Sequence, residues 1–130
     1  MDEPFVNQDL SLYHRDEPLI KETADQVIKD FGLFEMEITF HGRQGTPYME
    51  LYEQVLPLIT RMLAENNSRL YSLMYQIDIP ESWWKIIRHE NEEAALSSSI
   101  TDAILQRELL KVVTRNYYRK GRLQGPGDKL

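Results

Sequence analysis

Glu92-Glu93-Ala94-Ala95-Leu96-Ser97-Ser98-Ser99-Ile100-Thr101-Asp102-Ala103-Ile104-Leu105-Gln106-Arg107-Glu108-Leu109-Leu110-Lys111-Val112-Val113-Thr114-Arg115-Asn116-Tyr117-Tyr118-Arg119-Lys120 is the stretch whose reading decides the fold. Its apolar residues recur every three or four positions, the period of an α-helix. Such a helix, stopping at Gly121, would be about 43 Å long at ~1.5 Å rise per residue, longer than a small domain is wide. Ser97-Ser98-Ser99 weakens it locally, and Ser99 to Asp102 offers a second start. At ~100° per residue, Leu96, Ile100, Ala103, Ile104, Leu110, Val113 and Tyr117 form one wide apolar face. Leu105, Leu109 and Val112 form a second stripe nearly opposite. A helix with two apolar stripes is either enclosed within its domain or shared with a partner. The section Leu109 to Tyr118 is therefore a candidate interface.

Outward from that helix, the rest of the chain also reads as helical. Asp16 suits an N-cap, Pro18 a first turn and Gly32 a C′ position, which predicts a helix from Pro18 to Phe31. Tyr48 to Asn66 is the cleanest amphipathic segment, with Leu51, Val55, Ile59 and Met62 on its apolar face and Glu50, Glu53 and Gln54 opposite. Pro57 projects from the polar side and predicts a kink rather than a break. Asn66-Asn67-Ser68 signals a further start, and Leu70, Tyr71, Leu73, Met74 and Ile77 surround most of a helix from Ser68 to Ile77. Asp78-Ile79-Pro80-Glu81 reads as a capping box opening a short helix that carries Trp83 and Trp84. Met36 to His41 alternates apolar and polar residues. It reads either as an extended strap across the helices or as a strand paired with its copy in a second subunit. The Gly42 to Pro47 run is a flexible loop.

The expected fold is all-α: a compact bundle of about five helices in a single domain over residues 16–121. A long C-terminal helix forms its spine, and residues 36–41 form one short extended segment. Residues 1–15 read as a flexible arm and residues 122–130 as a disordered tail.

With 130 residues, 42% hydrophobic and 28% charged, the composition is that of one globular domain. No run approaches the ~18 apolar residues of a membrane span, and no secretory signal is visible. The chain holds no cysteine, which excludes disulfides, thiolate nucleophiles and cysteine-based metal sites and favours the cytoplasm. The net charge of −6 is unevenly spread. Acids dominate residues 1–60, whereas Arg107, Lys111, Arg115, Arg119, Lys120 and Arg122 face only Glu108. An acidic front and a basic end attract each other, within one chain or between two.

The chemistry-bearing inventory is thin. His14, His41 and His89 stand alone, Ser97 to Ser99 lack a nucleophile-elbow setting, and Gly42-Arg43-Gln44-Gly45 is no phosphate loop. The expectation is a protein without catalytic residues, metal or cofactor. Trp83 and Trp84 lie ~100° apart on their helix, so one can fill the core while its neighbour is left partly exposed, and the pair reads either as simple core filling or as carrying an aromatic binding anchor. Trp83, Trp84, Leu105, Leu109 and Val112 are the interface candidates, for a protein partner or a second copy of the chain. Arg107 falls at the margin of the main apolar face and needs a partner, for which Asp78 or Glu81 is suited. Arg115, Tyr117, Tyr118, Arg119 and Lys120 form an alternative patch for nucleic acid or another anionic surface, though basic residues in a final helical turn also complement the helix dipole.

Leu73-Met74-Tyr75-Gln76-Ile77-Asp78-Ile79-Pro80-Glu81 resembles the Leu-Tyr-Arg-Ile-Asp-Val-x-Glu segment of a group of small uncharacterised bacterial helical proteins. Arg107-Glu108-Leu109-Leu110-Lys111-Val112-Val113-Thr114-Arg115 fits the Arg-Glu-x-x-Lys-Val-x-x-Arg helix that follows in that group. The resemblance covers about the C-terminal half and departs at Gln76, where the group carries arginine. It implies an all-helical fold and no activity. It also directs attention to Asp78, Glu81, Arg107, Glu108, Lys111 and Arg115 as one polar cluster joining two helices.

Overall fold

The computed structural model describes residues 10–42, 47–89 and 92–124. Five α-helices follow a 3-10 helix at Leu10–Arg15: α1 (Glu17–Gly32), α2 (Pro47–Glu65), α3 (Asn67–Ile77), α4 (Glu81–Ile87) and α5 (Glu93–Gln124). No strand forms among the described residues, and the architecture is the all-α bundle the sequence implies. No helix among them is long and apolar enough to cross a membrane. Residues 1–9, 43–46 and 125–130, which include most of the expected arm, loop and tail, lie outside the described residues.

Local chemistry explains most boundaries. Asp16 caps α1, its Oδ1 accepting from the Leu19 N–H at 3.2 Å. Asn66 caps α3 through a bond from the Arg69 N–H at 3.1 Å. Such caps satisfy N–H groups that the first helical turn leaves without partners. α2 runs unbroken through Pro57, whose ring is exposed.

Several boundaries differ from expectation. Gly32 closes α1 from inside the helix, and the left-handed position falls instead on Glu35, with φ 62°. There the Met36 N–H reaches back to the Phe31 carbonyl at 3.1 Å, so the return of the chain to the core sets the backbone. Asp78 does not open α4. It terminates α3 in a left-handed conformation with φ 72°, and Pro80 is an N-cap without a side-chain bond. The expected arm is ordered from Leu10, and His14 stacks on Tyr48 with ring centroids 3.7 Å apart. α5 continues through Ser97–Ser99 and past Gly121 to Gln124, so residues 122–124 are helix, not tail. Ser97 is buried, so packing overrides weak propensity there, and one glycine costs a helix only about 1 kcal/mol.

Residues 36–42 are a strap across the bundle, not a strand. Ile38 is buried and Phe40 packs against the core. α2 side chains stand in for a missing β-partner. The Gln54 amide accepts from the Thr39 N–H at 2.8 Å and donates to the Thr39 carbonyl. Glu50, read from sequence as solvated, is buried, and its carboxylate accepts from the backbone N–H groups of His41 and Gly42. Gly42 sits at φ +71°, a conformation that favours glycine.

α5 packs mainly against α1 and α2, with α3 and α4 completing its cover. Leu105, Leu109 and Val112 are fully buried, as are Ile100, Ala103 and Ile104. The second stripe and the Ile100–Ile104 part of the first are thus the flanks of one inward arc, while Leu110 and Val113 are half-buried and Tyr117 is exposed. The arc's middle row is Ser97, Thr101, Ile104 and Glu108, mostly polar by composition yet buried. Of the two readings the sequence leaves open for the second stripe, the structure has the enclosed one. Polar residues at the centre of the buried arc divide it in a helical projection although nothing divides it in space.

Candidate functional site

Two regions gather the residues the sequence singled out, one apolar and one charged. The apolar region lies where α3 meets α4. Trp83 is buried in the core, while Trp84 remains half-buried and meets Tyr71 edge-to-face at 5.9 Å. Adjacent positions ~100° apart on a short helix force that division. Tyr71, Met74, Tyr75, Ile79, Glu81 and Trp84 line an open groove of about 220 Å³. Tyr75 is 88% exposed and Tyr71 53%, so α3 is not enclosed all round as its apolar content suggests. The i, i+4 spacing of Tyr71 and Tyr75 was the signal for one outward row. Asp78 and Glu81, both exposed, place carboxylates at its edge.

Asp78 also holds Arg107, which donates from Nε to the Asp78 carbonyl at 2.9 Å and from Nη2 to Oδ2 at 3.1 Å. The partner expected for Arg107 is therefore present, and it is Asp78 rather than Glu81. The left-handed turn at Asp78 matters here, because it brings carbonyl and carboxylate to one guanidinium.

The remaining members of the expected polar cluster lie elsewhere. Lys111 and Arg115 pair with α1, whereas Arg107 pairs with Asp78 at the end of α3, so the six residues do not form one cluster. Lys111 Nζ is 2.7 Å from Glu108 Oε1 and 3.5 Å from Asp30 Oδ2. Glu108 is 0% exposed and Asp30 3%. Gln26 Nε2 donates to the Asp30 carboxylate at 3.2 Å. Burial pushes the Glu108 carboxyl up to about 8, the neighbouring Asp30 carboxyl raises it further, and Lys111 opposes both. Farther along the seam, Arg115 and Arg119 both reach Glu22, at 3.2 and 3.6 Å, and Asn116 donates to it at 3.0 Å. Glu22, Gln26 and Asp30 were not singled out from sequence. Their four-residue spacing on α1 was visible there, but spacing alone does not say what a polar row faces.

This seam changes the reading of the basic helix end. Arg115 and Arg119 are paired with an acid of their own chain, while Tyr117 and Tyr118 are exposed and stack edge-to-face at 5.5 Å. The Lys120 side chain lies outside the described residues. A second groove, of about 300 Å³, is lined by Glu17, Lys21, Asp25, Ile28, Phe40, His41, Gly42 and Pro47. Its one buried carboxylate neighbour, Glu50, is committed to the strap and to His41 Nδ1 at 3.3 Å. Among the described residues no three His, Asp or Glu side chains converge to hold a metal ion.

No family model, no curated protein and no solved structure matches the chain. The likeness to small bacterial helical proteins thus rests on the residues quoted for it.

Proposed function

We infer that the chain is a non-catalytic docking domain whose binding face is the aromatic groove between α3 and α4. The observation that carries this reading is the cluster of Tyr71, Tyr75 and Trp84 around one groove, in a molecule whose other large apolar side chains mostly fill the core. Tyrosine and tryptophan supply large contact area with few torsions to freeze, and they dominate binding hot spots. The partner that fits is a protein segment with an apolar anchor for the groove and a basic residue for Glu81. Asp78 is already engaged by Arg107, which leaves Glu81 as the carboxylate on offer.

Self-association through Leu105, Leu109 and Val112 loses its basis, since those side chains are enclosed within one chain. A homodimer would have to use the aromatic face. The anionic-surface reading is weaker for a parallel reason, because Glu22 already balances Arg115 and Arg119.

The test compares the full chain with Tyr75→Glu, a change at an exposed position that leaves the core intact. Both are used to capture partners from native extract, and both are sedimented alone. A protein retained by the wild type and lost by the variant, at equal helicity, supports the reading. Equal capture by both overturns it. Capture by the wild type that nuclease removes would favour the basic end of α5 instead.

A further inference from the structure

We propose that Asp30, Glu108 and Lys111 form a proton-operated clasp between α1 and α5, tighter at acidic than at neutral pH. Two carboxyl groups, 3% and 0% exposed, meet a single ammonium, 2.7 Å from one and 3.5 Å from the other. Two ionised carboxylates beside one lysine would leave an uncompensated negative charge in a region of low dielectric. A proton on Glu108 removes it and turns a buried acceptor into an O–H donor.

The groups facing Glu108 are few. Asp30 and Gln26 face it from α1, and Lys111 faces it from its own helix. The described charges of α2 and α3 are engaged elsewhere or lie at the surface: Glu50 holds the strap, Arg69 donates to the Phe34 carbonyl, and Asp78 binds Arg107. No ion pair joins α4 to either carboxyl among the described residues. Beyond Glu108, every side-chain hydrogen bond or ion pair from α5 to another described element ends on α1, at Glu22, Gln26 or Asp30. The clasp stands at the head of that row, and its proton governs how firmly the distal part of α5 is held.

The direction follows from linkage. The folded carboxyl of Glu108 is raised to about 8 from an ordinary 4.5. The folded state therefore binds the proton more tightly than the opened state. The stabilisation is full below the ordinary glutamate range, declines through the neutral range and is exhausted above about 8.

The experiment uses the full chain and two readouts. In the first, the side-chain carboxyl of Glu108 is titrated by carbon-13 NMR in the wild type, which needs no variant to fold. In the second, hydrogen exchange over residues 109–119, corrected for the intrinsic pH dependence, is compared between wild type and Glu108→Gln. The clasp predicts a Glu108 midpoint far above the glutamate range. It also predicts that opening of 109–119 grows by up to about tenfold per pH unit between pH 5.5 and 7.5 in the wild type. Glu108→Gln should flatten that dependence. A Glu108 midpoint in the ordinary range overturns the proposal, as does exchange that rises equally in both proteins.

Discussion

At Thr101 and Ser97 the core holds hydroxyls that no hydrogen bond satisfies among the described residues, although both side chains are buried. An unsatisfied buried hydroxyl costs about 1–3 kcal/mol, whereas an apolar group of the same shape carries no such penalty. Thr101→Val is therefore expected to raise stability by about 1 kcal/mol, read as a shift of the urea midpoint at unchanged slope. A loss of stability would mean that the hydroxyl is bonded to ordered water. Glu35 offers a second case, of backbone origin. It is exposed and held at φ 62°, where a residue with a Cβ pays ~1–2 kcal/mol. Glu35→Gly removes that strain and adds unfolded-state entropy worth ~0.4–1 kcal/mol, so a net gain of about 0.5 kcal/mol is expected from chemical denaturation. Gly42, also left-handed, calls for the opposite result: Gly42→Ala should destabilise.

Among the elements, α5 was the most informative in sequence and the most misleading. Its length and period were legible, since both depend on residues three and four apart. Its facing was not. The middle row of the buried arc carries Ser97, Thr101 and Glu108, and in a projection these split one apolar surface into two. Leu109 separates the enclosed reading from the interface reading. As a fully buried side chain it should cost about 2–5 kcal/mol when changed to alanine, with no change in sedimentation of the remaining folded protein. Dissociation without destabilisation would restore the stripe as an interface. The α3–α4 connection carries a similar lesson. Asp-Ile-Pro-Glu has the composition of a capping box, but the Asp78 N–H donates to the Met74 carbonyl at 3.0 Å and so ends one helix instead of starting the next. The arginine 29 residues later on α5 benefits from that geometry, which local spacing could not reveal.

For the whole molecule, the attraction between an acidic front and a basic end is realised inside one chain. Glu22 collects Arg115, Arg119 and Asn116. Single exposed ion pairs contribute about 0–1 kcal/mol, and a shared, partly buried acid lies towards the top of that range. Glu22→Gln is expected to cost about 1 kcal/mol in dilute buffer and less in molar salt, where charges are screened within ~3 Å. An effect equal at both salt levels would assign the role to packing.

What the sequence determined by itself was the set of helices, the N-caps at Asp16 and Asn66, an extended segment carrying Ile38 and Phe40, and the division of labour between Trp83 and Trp84. All of these follow from interactions between residues close along the chain. Tertiary structure alone decided which polar residues go inside. Glu50, Asp30, Thr101 and Glu108 look like members of solvated faces until the element that covers them is known. Glu50 and Asp30 meet partners 9 and 81 positions away, His41 for Glu50 and Lys111 for Asp30, and no helical period records a contact of that kind.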